Sequence, residues 1–73
     1  MSENELSERE AISLLEHAIQ RVANESDRAE LMKFRTKTLG SIDKMLRRVK
    51  NNTPEIRAKR TELAQLLTDK LKA

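Results

Sequence analysis

A single glycine and a single proline punctuate the 73 residues of this chain. Charged residues are mixed with Leu, Ala, Ile and Met throughout, without low-complexity runs or internal repeats. So few breakers in such a background point to helices from end to end. The fold class expected is all-α.

Three segments carry helical signals. "SERE" (7–10) is a capping box, in which the Ser7 hydroxyl can cap free backbone N–H groups and Glu10 can reach back. Ala11, Ile12, Leu15, Ala18, Ile19 and Val22 follow at three- and four-residue steps. At about 100° per residue they fill one stripe, which Leu14 widens. This first helix is expected over 8–23. "ANESD" ends it, and Ser26 or Asp27 caps a second helix expected over 28–50, with Glu30, three residues after Asp27, offering a second candidate capping box. "NNTPE" is the clearest boundary: Asn51 and Asn52 suit a helix end, Thr53 a cap, and Pro54 the first helical position, where a missing N–H costs nothing. The third helix is expected over 54–71, with Ile56, Leu63, Leu67 and Leu71 near one face and Ala64 and Leu66 flanking. Short connections favour antiparallel neighbours, so residues 1–73 read as one domain, a three-helix antiparallel bundle, with 1–6 as a disordered tail.

Gly40 tests the second helix. If it ended a helix, the apolar stripe could change phase there. Leu31, Met32 and Phe34 before it, and Leu39, Ile42, Met45, Leu46 and Val49 after it, all fall within one sector of about 160° when counted at about 100° per residue. A continuous helix is therefore expected, with Gly40 on its outer face at a cost of about 1 kcal/mol relative to Ala. The alternative ends the helix at Leu39, with Gly40 as a left-handed cap and Ser41 capping a new helix.

A chain this short buries a small core, and without cysteine no disulfide or thiolate metal site can reinforce it. Oligomerisation is a common remedy. A homodimer is expected, with Ile12, Leu15, Ile19, Val22, Leu31, Leu39, Ile42, Leu46, Val49, Leu63 and Leu67 forming the core or the dimer interface. No apolar run approaches the roughly 20 residues that span a bilayer, and the acidic, polar start is unlike a signal peptide. A cytoplasmic location without membrane contact is expected.

Catalytic chemistry has little to work with. His17, the only histidine, falls on the outer side of the first helix. Its neighbour Glu16 is adjacent rather than one helical turn away, so no metal-ligand spacing results. One glycine cannot make a phosphate-cradling loop, and the acids at 8, 10 and 16 are accounted for by an acidic helix start. The expectation is no enzyme, no cofactor, no metal and no small-molecule substrate.

Charge is the informative feature. Residues 1–30 carry eight acids against three arginines, a net −5, while residues 31–73 carry twelve bases against four acids, a net +8. The acidic part either packs against the basic part or leaves a basic surface for an acidic partner. On the second helix Lys33, Lys37, Gly40, Lys44, Arg47 and Arg48 form a stripe opposite the apolar one, with Asp43 off to the side, and Arg57, Lys59 and Arg60 follow beyond the turn. Such a stripe can neutralise phosphates, and a bare glycine at its centre lets a backbone or another helix approach. With Phe34 as the only aromatic, base stacking is nearly excluded. A helix-turn-helix reading of "NNTPEIRAKRTEL" would use Arg57, Lys59, Arg60 and Thr61 as readers. Arg35, Thr38 and Arg60 interrupt the apolar sectors; an arginine there snorkels or pairs with a carboxylate, Glu16 and Glu25 being candidates. The leading expectation is a protein-protein interaction module, such as an adaptor, chaperone-like or regulatory subunit; the alternative is a nucleic-acid-binding regulator.

Overall fold

The computed structural model describes residues 6–50 and 52–72, and among them helices are the only extended regular elements. Helix α1 (Glu8–Asn24) opens on the capping box: the Ser7 N–H donates to Glu10 Oε1 at 3.2 Å and the Glu10 N–H donates to Ser7 Oγ at 3.1 Å. A second helix runs through 28–46 in three parts: α2 (Arg28–Lys33), a π-helical segment (Phe34–Thr38) and α3 (Leu39–Leu46). Asp27 caps it by accepting from the Ala29 N–H at 2.9 Å. Helix α4 (Pro54–Lys72) starts where Thr53 Oγ1 accepts from the Ile56 N–H at 3.3 Å, with Pro54 in the first helical position.

The bundle measures 43 × 21 × 15 Å. Helix α1 lies along α4, and the antiparallel second helix crosses both, α2 against α4 and α3 against α1. Ala11, Leu15, Ala18 and Val22 of α1, Leu31, Phe34 and Ile42 of the second helix, and Ile56, Leu63, Leu67 and Leu71 of α4 form the core. Leu6, Ile12, Leu14, Ile19, Leu39, Leu46, Val49 and Leu66 pack half-buried against it. Every residue expected to line a core or a dimer interface is thus in contact with this one core, within a single chain. Lys70 fastens the far end: its ammonium donates to the carbonyls of Val22 and Ala23, each at 2.8 Å, and of Glu25 at 2.5 Å, at the end of α1, where the Val22 carbonyl also accepts from the Glu25 N–H at 3.2 Å.

The second helix passes through Gly40 unbroken, and no residue has a left-handed backbone among those described. The hydrogen-bond register nevertheless slips upstream. The Leu39 N–H donates to the Phe34 carbonyl, five residues back, and the Thr36 hydroxyl donates to the carbonyls of Met32 (3.1 Å) and Lys33 (3.3 Å) within the widened turn. One extra residue in a turn makes everything after it lag by about 100°. This corrects the uniform count in two places. Met45, which a straight α-helix puts in the apolar sector, is turned out and is 42% exposed; Asp43 is turned from the side toward the core flank. Met32, at the edge of the expected sector, is 43% exposed, and Arg35 also points to solvent rather than inward.

The second helix also ends at Leu46, four residues short of the expected 50. The N–H groups of Arg48 and Val49 fall back onto the carbonyls three residues before them, and Val49 leaves the helix to form an isolated parallel bridge with Leu6. The Leu6 N–H donates to the Arg48 carbonyl at 3.0 Å and the Lys50 N–H to the Leu6 carbonyl at 3.4 Å. A β-branched valine suits that extended conformation. Leu6, placed with the tail in the sequence reading, is therefore tied to the bundle, while the rest of that tail, residues 1–5, lies outside the described residues.

Candidate interaction surface

Lys33, Lys37, Gly40 and Lys44 of the second helix are all exposed, but the π turn takes Gly40 and Lys44 out of line with Lys33, so the straight stripe expected from a uniform count is broken. Arg47 and Arg48 extend the row, but on the turn after Leu46 rather than on the helix itself. Lys33, Lys37, Lys44 and Arg48 make no ion pair among the described residues. Gly40 lies between Lys37 and Lys44. A Cβ built on it meets nothing within 4 Å. Neither backbone conformation nor internal packing therefore calls for glycine there.

The basic residues expected beyond the turn divide differently. Arg57 is exposed. Lys59 is paired with Glu16 at 3.3 Å. Arg60 sits in the α4 stripe between Ile56 and Leu63, where its guanidinium grips Asp43 with both arms, Nε to Oδ1 at 2.6 Å and Nη2 to Oδ2 at 2.9 Å. The inward arginine thus pairs with a carboxylate, but with Asp43 and not with Glu16 or Glu25. The guanidinium hydrogen bond holds the Asp43 carboxyl below its usual range against a partial desolvation that opposes it, and the same bond raises Arg60. Lys59 and Arg60 are structural members of the bundle, and the accessible cationic surface contracts to the second helix, its following turn and Arg57.

Phe34 is buried beneath the Arg21 guanidinium, whose carbon stands 5.8 Å from the ring centroid. It is not available for stacking on a base. Beside it lies a cavity of about 140 Å3, lined by Arg21, Val22, Glu25, Leu31, Phe34 and Lys37 among others. That is below the size of ordinary small-molecule sites. His17 is exposed on α1. Among the described residues no group of three or more His, Cys, Asp or Glu is arranged to hold a metal ion, and no helix is long and apolar enough to cross a membrane.

Further along the seam between α1 and the second helix, Leu6, Leu14 and Met45 line a shallow open groove with Arg9, Glu10 and His17. Sequence reading missed this edge because the register slip creates it. It also missed the Lys70 clamp; Lys70 sits one turn from the end of a helix, and nothing local reveals which neighbouring helix end it meets. The chain matches no protein-family model, and comparison with curated proteins and with solved structures gives no significant match.

Proposed function

We propose that the chain is a non-enzymatic helical interaction module that acts as a homodimer and offers the cationic face of its second helix to an acidic partner. The carrying observation is that Lys33, Lys37, Lys44 and Arg48 stand exposed and make no ion pair among the described residues, while other cations, Lys59 and Arg60, are paired within the chain. A field of one sign left uncompensated on a small domain attracts and orients an oppositely charged surface.

The homodimer reading rests on the Leu6, Leu14 and Met45 edge. These apolar groups lie outside the buried core, and the flanking Arg9 and Glu10 give the groove both signs of charge, so a two-fold pairing can set each against its opposite. Sedimentation at micromolar concentration tests it: the expected species is twice 8.4 kDa, Met45→Glu should return it to a monomer, and a wild-type monomer overturns the dimer. The partner is sought by pull-down from source lysate with and without nuclease. Capture that survives nuclease and is lost on replacing Lys37 and Lys44 with Glu supports an acidic protein; capture lost on nuclease treatment supports the alternative, a nucleic-acid-binding regulator.

A further inference from the structure

We infer that the cavity beside Phe34 is the anchor pocket for the acidic partner. It takes one apolar side chain of about leucine size from a peptide segment that carries carboxylates on both sides of that residue. This rests on the reading of the chain as a module for an acidic partner.

Two elements build the pocket. Arg21 and Val22 of α1 form one wall, and Leu31, Phe34 and Lys37 of the second helix form the other, around a volume of about 140 Å3. Phe34 and Thr38 are the two ends of the π turn, and both line the cavity. The widened turn is thus part of the wall. A π turn gives up the regular ladder, and such turns occur often where a helix shapes a binding site. Val22, Leu31 and Phe34 make the floor apolar. An apolar cavity of about 150 Å3 holds a benzene-sized group, so one leucine or methionine side chain fits here. A ligand of drug or cofactor size does not.

The rim sets the chemistry around that anchor. Arg21 stands over the Phe34 ring from the α1 side, 5.8 Å from the centroid, and Lys33 and Lys37 stand one turn apart on the second helix. Cations therefore flank the floor on both walls. Lys33 and Lys37 make no ion pair among the described residues. Two acids, Glu25 and Glu30, also line the cavity. The Glu25 carboxylate accepts from the Asp27 N–H at 3.2 Å, which leaves Glu30 against three cations. An apolar anchor in a pocket with charged groups at its edge is where small interfaces concentrate their binding. Carboxylates on either side of the anchor satisfy this rim, whereas a basic segment meets like charge. A nucleic-acid backbone supplies the charge but has no apolar group for the floor.

The test is a nuclear magnetic resonance titration of the full chain with a short synthetic peptide of glutamates around one central leucine. Beside it run the same peptide with alanine at the centre, the leucine peptide with glutamines in place of the glutamates, and a DNA duplex. Phe34 is the only aromatic residue, so its ring protons report on the pocket without overlap. The leucine peptide should show contacts from its methyl protons to that ring and bind about tenfold tighter than the alanine peptide. The glutamine peptide should bind about threefold or more weakly, as should the leucine peptide to a chain carrying Lys33→Ser and Lys37→Ser, whose thermal midpoint should not change. Equal binding of the leucine and alanine peptides, or binding of the leucine peptide away from Phe34, overturns the pocket and leaves the acidic-partner reading standing. Undiminished binding to the double variant overturns the rim. Equal or tighter binding of the glutamine peptide overturns the carboxylates and that reading with them. Tighter binding of the duplex than of any peptide overturns the choice of a peptide, and binding of none of the four overturns both the inference and the reading.

Discussion

Helix α1 and the second helix solve the same problem in different ways. Both are amphipathic and of similar length. In α1 the hydrogen-bond ladder is uniform, and the buried positions Ala11, Leu15, Ala18 and Val22 fall at the steps a count of three and four predicts. The second helix carries a π-helical turn at Phe34–Thr38, and its buried set is reduced to Leu31, Phe34 and Ile42 with half-buried Leu39 and Leu46. The first helix is a core element from cap to cap. The second is a compromise whose extra residue directs Asp43 to Arg60 and turns Met45 away from the core, while its outer face keeps the cations clear.

The largest test of that contrast is a pair of single-residue deletions. Removing Thr36 takes one residue out of the widened turn, so the ladder can close as ordinary α-helix with the downstream half unmoved. Removing Ser41 rotates everything after it by about 100°, taking Ile42 and Leu46 off the core and Asp43 from Arg60. Urea unfolding should show the Thr36 deletion within about 1 kcal/mol of wild type and the Ser41 deletion destabilised by at least about 4 kcal/mol, the sum of more than one core-sized loss. Equal damage from both would mean that the π turn holds no spare residue.

A smaller pair of substitutions sharpens the same point. Leu15→Ala empties a fully buried site in α1 and should cost about 3 kcal/mol. Met45→Ala, at a position that a straight helix would bury, should cost about 0.5 kcal/mol or less by the same measurement at a concentration where the chain is monomeric. A large loss at Met45 would place it in the core and restore the uniform count.

Where local chemistry decides, the fold could be read directly. The Ser7–Glu10 box, the Asp27 cap and the Thr53–Pro54 start each depend on residues within one turn of each other, and each forms as expected. The passage of the helix through Gly40 was legible because neither half of the stripe ends there. The π turn was not, since a hydrophobic count assumes the rotation per residue that the turn violates, and Leu31, Leu39, Ile42 and Leu46 stay on one broad side under either register. The early end of the helix depends on Leu6, forty-three positions before Val49, and a pairing at that range leaves no local mark. The candidate face was legible in position but not in extent: the row from Lys33 to Arg48 could be counted, whereas the engagement of Lys59 by Glu16 and of Arg60 by Asp43 depends on which helices become neighbours.

The Lys70 clamp makes α1 the better-fastened of the two helices at its end, and its removal should narrow the difference. Lys70→Met keeps most of the aliphatic stem but withdraws the donor from three carbonyls, leaving the end of α1 to water. A loss of about 1.5 kcal/mol is expected, with amide exchange accelerated selectively around 22–25. Uniform acceleration over the whole chain would argue against a local clamp.

The last test concerns the polar contact that joins the second helix to α4. Asp43 and Arg60 are each partly open to solvent, so the bidentate pair is worth about 1 kcal/mol, toward the upper end for such pairs. Because the folded state lowers the Asp43 pKa, its contribution is present in full above the unfolded carboxyl value near 4 and is lost as the pH falls through the lower folded value. The raised Arg60 value contributes nothing over that range, since arginine stays charged. The stability difference between wild type and Asp43→Asn should therefore hold steady from pH 7 to about 5, shrink below about pH 4 and vanish once the pH is well below the lowered folded value. Replacing both partners, Asp43→Ala with Arg60→Leu, fills the gap between Ile56 and Leu63 with an apolar side chain and should restore wild-type stability or exceed it, now without that acid dependence. If the double variant is instead the least stable of the set, the pair is fixing the register of the second helix against α4, and the π turn and the ion pair are one device.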